Sequence, residues 1–491
     1  MGKLNLALTF DDITLKTRHS NVMPCDVSLE TKFSRNISLK IPIVSAAMDT
    51  VTEHRLAIEL AKLGGIGVIH RNLTAKEQSY EVARVKNHLN GLTGLIENPV
   101  CVYEDETIES ILHKIDKKDY PFNSFPVINR ERKLVGILTG HDFNFCDNNS
   151  LCAKDVMTKK IITEKGGTSL YDAYNLMKKV KKKILPLVND SGEIIGLYAF
   201  KDLVEIKSGI SSSYNIDKKG QLMVAAAIGV GKDVHNRLEK LVLENVDVIV
   251  IDTAHGDSKN VINTLRYIKK NYVDLDVVVG NISEAESARR LIEAGADGIK
   301  VGQGPGSICT TRVVAGIGCP QITAIYNCSG VADKYSVPLC ADGGLRFSGD
   351  ITKAIGAGAH SVMMGNMLAG IEETPGETIS DERGLWKKYR GMGSIEAMRS
   401  HKGSRERYKQ NSLEKDKLVP EGVSSLVPYK GKLSNVITQY IGGLRSGMGY
   451  VGASTIEELR EKADFYKISS AGQIESHPHD IKIIGEDYEG E

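Results

Sequence analysis

The chain has 491 residues, of which 41% are hydrophobic and 25% charged, with a formal net charge of +1. That length allows more than one domain, and the ordinary composition is that of a soluble globular protein with no electrostatic reason to favour nucleic acid or a membrane surface as its partner. No apolar stretch approaches the roughly 20 residues that cross a bilayer, and the eight cysteines form no CxxC pair, which argues against a disulfide framework or zinc site and for free thiols in a reducing cytoplasm.

The opening MGKLNLALTFDD shows no signal-peptide pattern. Two short apolar runs follow, IPIVSAAMD (41–49) and GGIGVIH (64–70), each ending in glycine or polar residues before a helix-like segment. An internal repeat comes next. SFPVINRERKLVGILTGHDF (124–143) aligns without gaps on ILPLVNDSGEIIGLYAFKDL (184–203), matching Pro126 to Pro186, Asn129 to Asn189, Gly136 to Gly196 and Asp142 to Asp202. Each copy reads strand, turn, strand, helix start, and two such units pair to bury their sheets. Six more apolar runs then appear: MVAAAIGVG (223–231), VDVIVIDTAHG (246–256), DVVVGNI (276–282), DGIKVGQGPGS (298–307), VPLCADGG (337–344) and HSVMMGN (360–366). Helical stretches such as SEAESARRLIEAGA (283–296) lie between them.

Continuous apolar strands indicate a parallel sheet buried on both faces, and eight of them alternating with helices predict an α/β fold, a (β/α)8 TIM barrel. The barrel takes residues 1–94 and 208–491, with a module at 95–207 inserted between its second and third strands. Its site is expected on the loops after the strands, where glycine and polar residues collect. Residues 376–432 carry many charges and little apolar periodicity, and so long a segment reads as a mobile flap.

One loop poses a chemical question. GPGSICTTR (304–312) places a lone thiol, Cys309, among glycines and hydroxyls after an apolar run. Backbone amides of Gly304, Gly306 and Ser307 suit a phosphate, and the same dipoles favour a thiolate. A thiolate attacks electron-poor carbon, and C2 of a purine is one such atom.

With SAAMDTVTE (45–53), DTAHG (252–256), ADGG (341–344), YRGMGS (389–394), LVPEG (418–422) and GGLRSGMGY (442–450), this loop resembles the inosine-5′-monophosphate (IMP) dehydrogenase family over essentially the whole chain. The inserted repeat resembles a tandem cystathionine-β-synthase-type (CBS) module. Gln303 and Cys319 are departures, standing where aliphatic residues are usual.

The resemblance implies NAD-dependent oxidation of IMP to xanthosine monophosphate (XMP), with Cys309 attacking C2, hydride leaving for NAD, and water hydrolysing the thioimidate. It implies a phosphate cradle of Ser307, Gly365, Asn366 and Tyr389, with Arg390 in the same IMP-binding set. Asp342 would take the ribose hydroxyls, Gly343 and Gly344 allowing close approach, and Gly391, Met392, Gly393 and Glu421 would hold the purine edge. Asp252, Thr253, Ala254, His255 and Asn281, with Gly302, Gln303 and Gly304, would bind the cofactor. Arg407 and Tyr408 would activate the hydrolytic water, assisted by Thr311, with the flap entering once NADH leaves.

Carbonyls of Gly304, Gly306 and Cys309, with Glu475, Ser476 and His477 of a neighbouring subunit, would hold potassium. A shared ion implies a homotetramer, with pairing into an octamer through the CBS modules left open. Tyr450 would reach a neighbour's NAD site. An adenine or guanine nucleotide is expected at the CBS module, where Thr139 and Asp142 suit a ribose and Ala199 leaves the second copy doubtful. Two alternatives stay open. One is guanosine monophosphate (GMP) reductase, which uses NADPH and needs no water-activating pair. The other is an inactive nucleotide-sensing assembly protein.

Overall fold

In the computed structural model, which describes residues 5–481 apart from 89–93, 119, 121, 147, 208–209, 401, 409 and 411–416, the eight apolar runs pair as parallel strands and close into a barrel. The strands are β1 (Ile43–Ser45), β2 (Ile66–Ile69), β3 (Val224–Ile228), β4 (Val248–Asp252), β5 (Asp276–Ile282), β6 (Gly298–Val301), β7 (Leu339–Asp342) and β8 (Ser361–Met364). β8 pairs with β1 and β2 with β3, so chain order is kept around the ring despite the insertion. Alternate residues point inward, and Val44, Ile66, Val68, Ala225, Ala227, Val248, Val250, Val278, Cys340 and Met363 form one buried cluster with Phe33 and Ile37. Each fully buried Val, Ile or Phe there contributes on the order of 1.5–3 kcal/mol.

Residues 83–222 form one compact unit, and residues 1–82 with 223–491 the other. The sequence boundaries 95 and 207 fall inside the first. Within it the repeat is reproduced pair by pair. Ser124–Ile128 runs antiparallel to Leu134–Thr139, and Ile184–Val188 to Ile194–Ala199. Pro126 faces Ile137 as Pro186 faces Leu197, and Val127 faces Gly136 as Leu187 faces Gly196. Asn129 Oδ1 accepts the amides of Glu131 and Lys133 at 3.0 Å each, and Asn189 Oδ1 those of Ser191 and Glu193 at 3.1 and 2.9 Å. The turns meet, Leu134 N–H donating to the Gly192 carbonyl at 3.0 Å. Thr139 and Asp142 bond each other at 2.7 Å as the cap of helix Gly140–Asn144.

The segment expected as a flap is more regular than its charge suggested. β9 (Thr378–Asp381), β10 (Gly384–Arg390) and β11 (Ser424–Pro428) form an antiparallel sheet, and helices Ile395–Ser400 and Lys402–Arg407 lie between the last two strands. Lys387 shows one place where charge misleads. It is buried in β10 and donates to the carbonyls of Thr374 and Gly376 at 3.0 and 2.5 Å, so a charged residue holds an inward position that hydropathy assigns to solvent. Residues 401, 409 and 411–416 of the expected flap lie outside the described residues.

Candidate active site

The loops after β4–β8, with Tyr389, Gly391, Met392, Glu406, Arg407, Tyr408 and Glu421, line a cavity of about 1030 Å³. Cys309 sits in its wall, half-buried, in the loop after β6. The loop is held from within by Cys309 N–H donating to the Gly306 carbonyl at 3.0 Å. It is also held from the flap side. Thr310 N–H donates to the Glu421 carbonyl at 3.1 Å, and Val423 N–H to the Ile308 carbonyl at 3.0 Å. Gly343 and Gly344, at φ +90° and +84°, let the turn after β7 lie against Pro305; a Cβ on either would stand 3.2 Å from that ring.

A line of hydrogen bonds leaves the thiol. Cys309 Sγ–H donates to Thr311 Oγ1 at 3.2 Å, and the Thr311 hydroxyl donates to Glu421 Oε2 at 2.7 Å. A proton leaving sulfur therefore has a carboxylate one hydroxyl away.

On one side of the cavity the Tyr389 hydroxyl lies 3.9 Å from Met48 Sδ, and Ser307 lines the same wall. Gly365 follows β8 directly, and a Cβ there would come within 2.9 Å of the Tyr389 hydroxyl. Burial pushes the Tyr389 phenol far above its ordinary range, so it stays a neutral donor. This is a concave set of hydroxyls and backbone amides suited to an anion.

The opposite side carries charge. Asp252 ends β4 and Asp342 ends β7, and between them stands Lys300 of β6, only 1% exposed. Lys300 Nζ lies 3.0 Å from Asp252 Oδ1 and 2.5 Å from Asp342 Oδ2, and also donates to Asn281 Oδ1. Asn281 Nδ2 in turn donates to Asp342 Oδ2 at 2.9 Å and the Gly302 carbonyl at 2.6 Å. The second oxygen of Asp252 is ion-paired with Arg407 from the flap. Tyr408 follows Arg407 and lines the same cavity, and burial, the largest influence, raises its phenol. Its ring occupies the space beside Gly393, where a Cβ would meet Tyr408 Cζ at 2.6 Å. Arg407 Nε is buried and has no hydrogen-bond partner among the described residues.

The flap helix is held on the barrel by two further contacts. Ser404 Oγ donates to Asn72 Oδ1 at 3.2 Å, and Arg71 Nη1 to Glu406 Oε2 at 3.2 Å. Burial brings the Arg71 guanidinium down to about 10.

Most residues singled out in the sequence line this one cavity: Ser307, Cys309, Thr311, Asp342, Gly343, Gly344, Gly365, Asn366, Tyr389, Gly391, Met392, Arg407, Tyr408 and Glu421, with Asp252, Thr253, Ala254, His255, Asn281, Gly302, Gln303 and Gly304. Arg390 departs from expectation and is not among the lining residues. Its guanidinium is committed to Asp49 at 2.7 Å and Glu396 at 2.9 Å, so it braces the flap instead. Gly393 acts through its backbone, accepting Glu421 N–H at 3.0 Å. Gln303 ties the loops after β4, β5 and β6 together, accepting from Ser283 Oγ at 2.8 Å and donating toward the Ala254 carbonyl at 3.4 Å.

Glu475 ends helix Ser470–Glu475, Ser476 Oγ donates back to the Gly472 carbonyl at 2.7 Å, and the His477 ring packs on Phe347 at 5.4 Å. Exposed Tyr450 lies on helix Leu433–Val451. Lys300, Met48 and Arg71 were not anticipated. The signal for Lys300 was available: it is the one charge inside the run GIKV, at a position that a fully buried strand fills with an apolar residue.

Comparison with known proteins points to one family. Residues 7–479 match the family model described as IMP dehydrogenase / GMP reductase domain. The inosine-5′-monophosphate dehydrogenase of Aquifex aeolicus is 50% identical over 487 residues, covering 99% of this chain and 97% of that protein. That of Bacillus subtilis is 47% identical over 482 residues, covering 98% and 96%. Among solved structures, GMP reductase from Trypanosoma brucei in complex with guanosine 5′-monophosphate superposes with a TM-score of 0.86 at 38% identity, covering 98% of this chain and 99% of that one. Among the described residues no helix is long and apolar enough to cross a membrane.

Proposed function

The chain belongs to the IMP dehydrogenase / GMP reductase family, and from that premise we propose how its residues perform the NAD-dependent oxidation of IMP to XMP that its full-length relatives' name denotes. The observation that carries the reading is the hydrogen-bonded line Cys309–Thr311–Glu421, opening into a cavity shared with Asp342, Tyr389 and Arg407.

The IMP phosphate is held by Ser307, Tyr389 and the backbone at Gly365 and Asn366, and the Asp342 carboxylate accepts from the ribose hydroxyls. The thiol proton passes through the Thr311 hydroxyl to Glu421, and the sulfur forms a bond to C2 of the hypoxanthine ring. That carbon becomes tetrahedral, and loss of its hydride restores the conjugated system as a thioimidate on Cys309. NAD, when bound, accepts that hydride. Asp252, Thr253, Ala254, His255 and Asn281 fit the nicotinamide end, since they line the same cavity as the thiol and present a carboxylate suited to ribose hydroxyls.

Hydrolysis needs a water where the nicotinamide stood. Arg407 pairs with Asp252 on that side, and its buried Nε lacks a partner among the described residues, which supports Arg407 and Tyr408 as the pair that orients and deprotonates the water. Attack at C2 forms the new C–O bond and breaks the C–S bond, and the proton held on Glu421 returns through Thr311 to the sulfur as XMP leaves. One carboxylate thus serves cofactor and flap in turn, which gives the long polar segment its purpose.

The carbonyls of Gly304, Gly306 and Cys309 are neutral oxygen donors fit for a monovalent cation. The Gly306 carbonyl already accepts one amide and keeps a second lone pair. A cation there would hold the cysteine loop in place, and Glu475, Ser476 and His477 of a neighbouring subunit would complete its shell in a homotetramer. The duplicated module at 95–207 is read as a CBS pair that binds an adenine or guanine nucleotide for regulation.

The test is incubation with IMP and NAD while following NADH absorbance. Formation of NADH and XMP is expected, whereas reaction of GMP with NADPH alone would make the protein a reductase.

A further inference from the structure

Asp252 has two cationic partners of different kinds. Arg407 arrives on the flap helix Lys402–Arg407, while Lys300 is fixed in barrel strand β6. Lys300 donates to Asp342 and Asn281 and stands in ion-pair contact with Asp252 Oδ1 at 3.0 Å. Both carboxylates are largely buried, with side chains 6% and 18% exposed. A buried carboxylate without a cation is strongly disfavoured. Were Arg407 the only partner of Asp252, withdrawing the flap would strand that charge, and closure would outcompete the cofactor.

We propose that Lys300 is a positioning residue that holds Asp252 and Asp342 as a pair and, by keeping Asp252 neutralised when Arg407 leaves, sets the balance between flap and cofactor at that carboxylate. This rests on the reading of Asp252 as the cofactor-side and Asp342 as the substrate-side ribose ligand. Lys300 also repels Arg407 across the shared carboxylate. Its removal therefore strengthens closure twice, by freeing the whole Asp252 charge for Arg407 and by lifting that repulsion.

The test is a double-mutant cycle on Lys300→Met and Arg407→Ala, read on first-turnover NADH formation so that hydrolysis does not enter. With Arg407 present, Lys300→Met is expected to raise the NAD concentration for half-maximal rate at least about tenfold; with Arg407→Ala the same change is expected to cost under about threefold. The IMP requirement, set through Asp342, should rise equally in both backgrounds. Lys300→Arg, which keeps the charge, should stay within about threefold of the parent. Lys300→Gln replaces the methionine variant if that one does not fold. An NAD shift of equal size in both backgrounds, or an arginine variant as impaired as the methionine one, would overturn the proposal and leave Lys300 as mere packing. Failure of the underlying reading looks different: Asp252→Asn in the Arg407→Ala background would then leave the NAD requirement of the first turnover unchanged, whatever Lys300 does.

Discussion

Replacing Arg407 with alanine should split the reaction at its midpoint. The Arg407 side chain is 15% exposed and pairs with Asp252, which is 6% exposed and keeps Lys300 at 3.0 Å after the change. No buried charge is left alone, so folding should survive. General-base assistance to water is worth about 10²–10⁴-fold, and steady turnover should fall by that factor. The first hydride transfer does not use Arg407 and should proceed near the parent rate, giving a burst of about one NADH per site and a persistent adduct. The cofactor meanwhile loses a competitor. A contact pair attracts by about 4 kcal/mol at an effective dielectric of about 20, and desolvation offsets most of that. A net of about 1 kcal/mol lowers the NAD needed for the burst about fivefold. Rapid mixing with absorbance detection reads both quantities. Absence of a burst, with hydride transfer slowed as much as turnover, would place Arg407 in the wrong step.

Two other substitutions probe the frame. Tyr389→Phe removes the hydroxyl that faces Gly365 in the cavity that Ser307 also lines. A hydrogen bond to a charged group is worth about 1.5–3 kcal/mol, so the KM for IMP should rise at least about tenfold while that for NAD holds; equal rises in both would remove Tyr389 from the phosphate cradle. Burial brings His360 down to about 3, and its Nδ1 accepts the Leu339 amide at 3.2 Å, the neutral form. Its unfolded value is about 6.5. The unfolded chain alone takes up the proton between these values, so this stabilisation is complete above about pH 6.5 and falls by up to about 1.4 kcal/mol per pH unit toward pH 3. Denaturant titrations from about pH 7 to about pH 4 should show a shallower loss of stability in His360→Gln than in the parent; identical slopes would contradict the assignment.

The barrel was legible because a strand buried on both faces must be apolar throughout, and eight such runs ended in the glycines and carboxylates that their loops require. The repeat was legible for a related reason: the Asn129 and Asn189 turns need the same acceptor at the same offset, and the two hairpins keep it. What escaped notice was charge in buried places. Lys300 and Lys387 each sit within a strand and spend their donors on carboxylates or carbonyls. Hydropathy counts them as solvent-facing because it cannot see partners distant in sequence. Arg390 failed in the opposite sense. Its neighbours on both sides line the cavity, yet its long side chain reaches away to Asp49, 341 positions earlier, a pairing that only the fold creates.

The most direct measurement is mass spectrometry of enzyme acid-quenched during turnover of IMP with NAD, followed by proteolysis. A purine-nucleotide adduct on the peptide carrying Cys309 is expected, more abundant in Arg407→Ala and absent without NAD. An adduct on any other residue, or turnover that persists in Cys309→Ala, would contradict covalent catalysis at this sulfur.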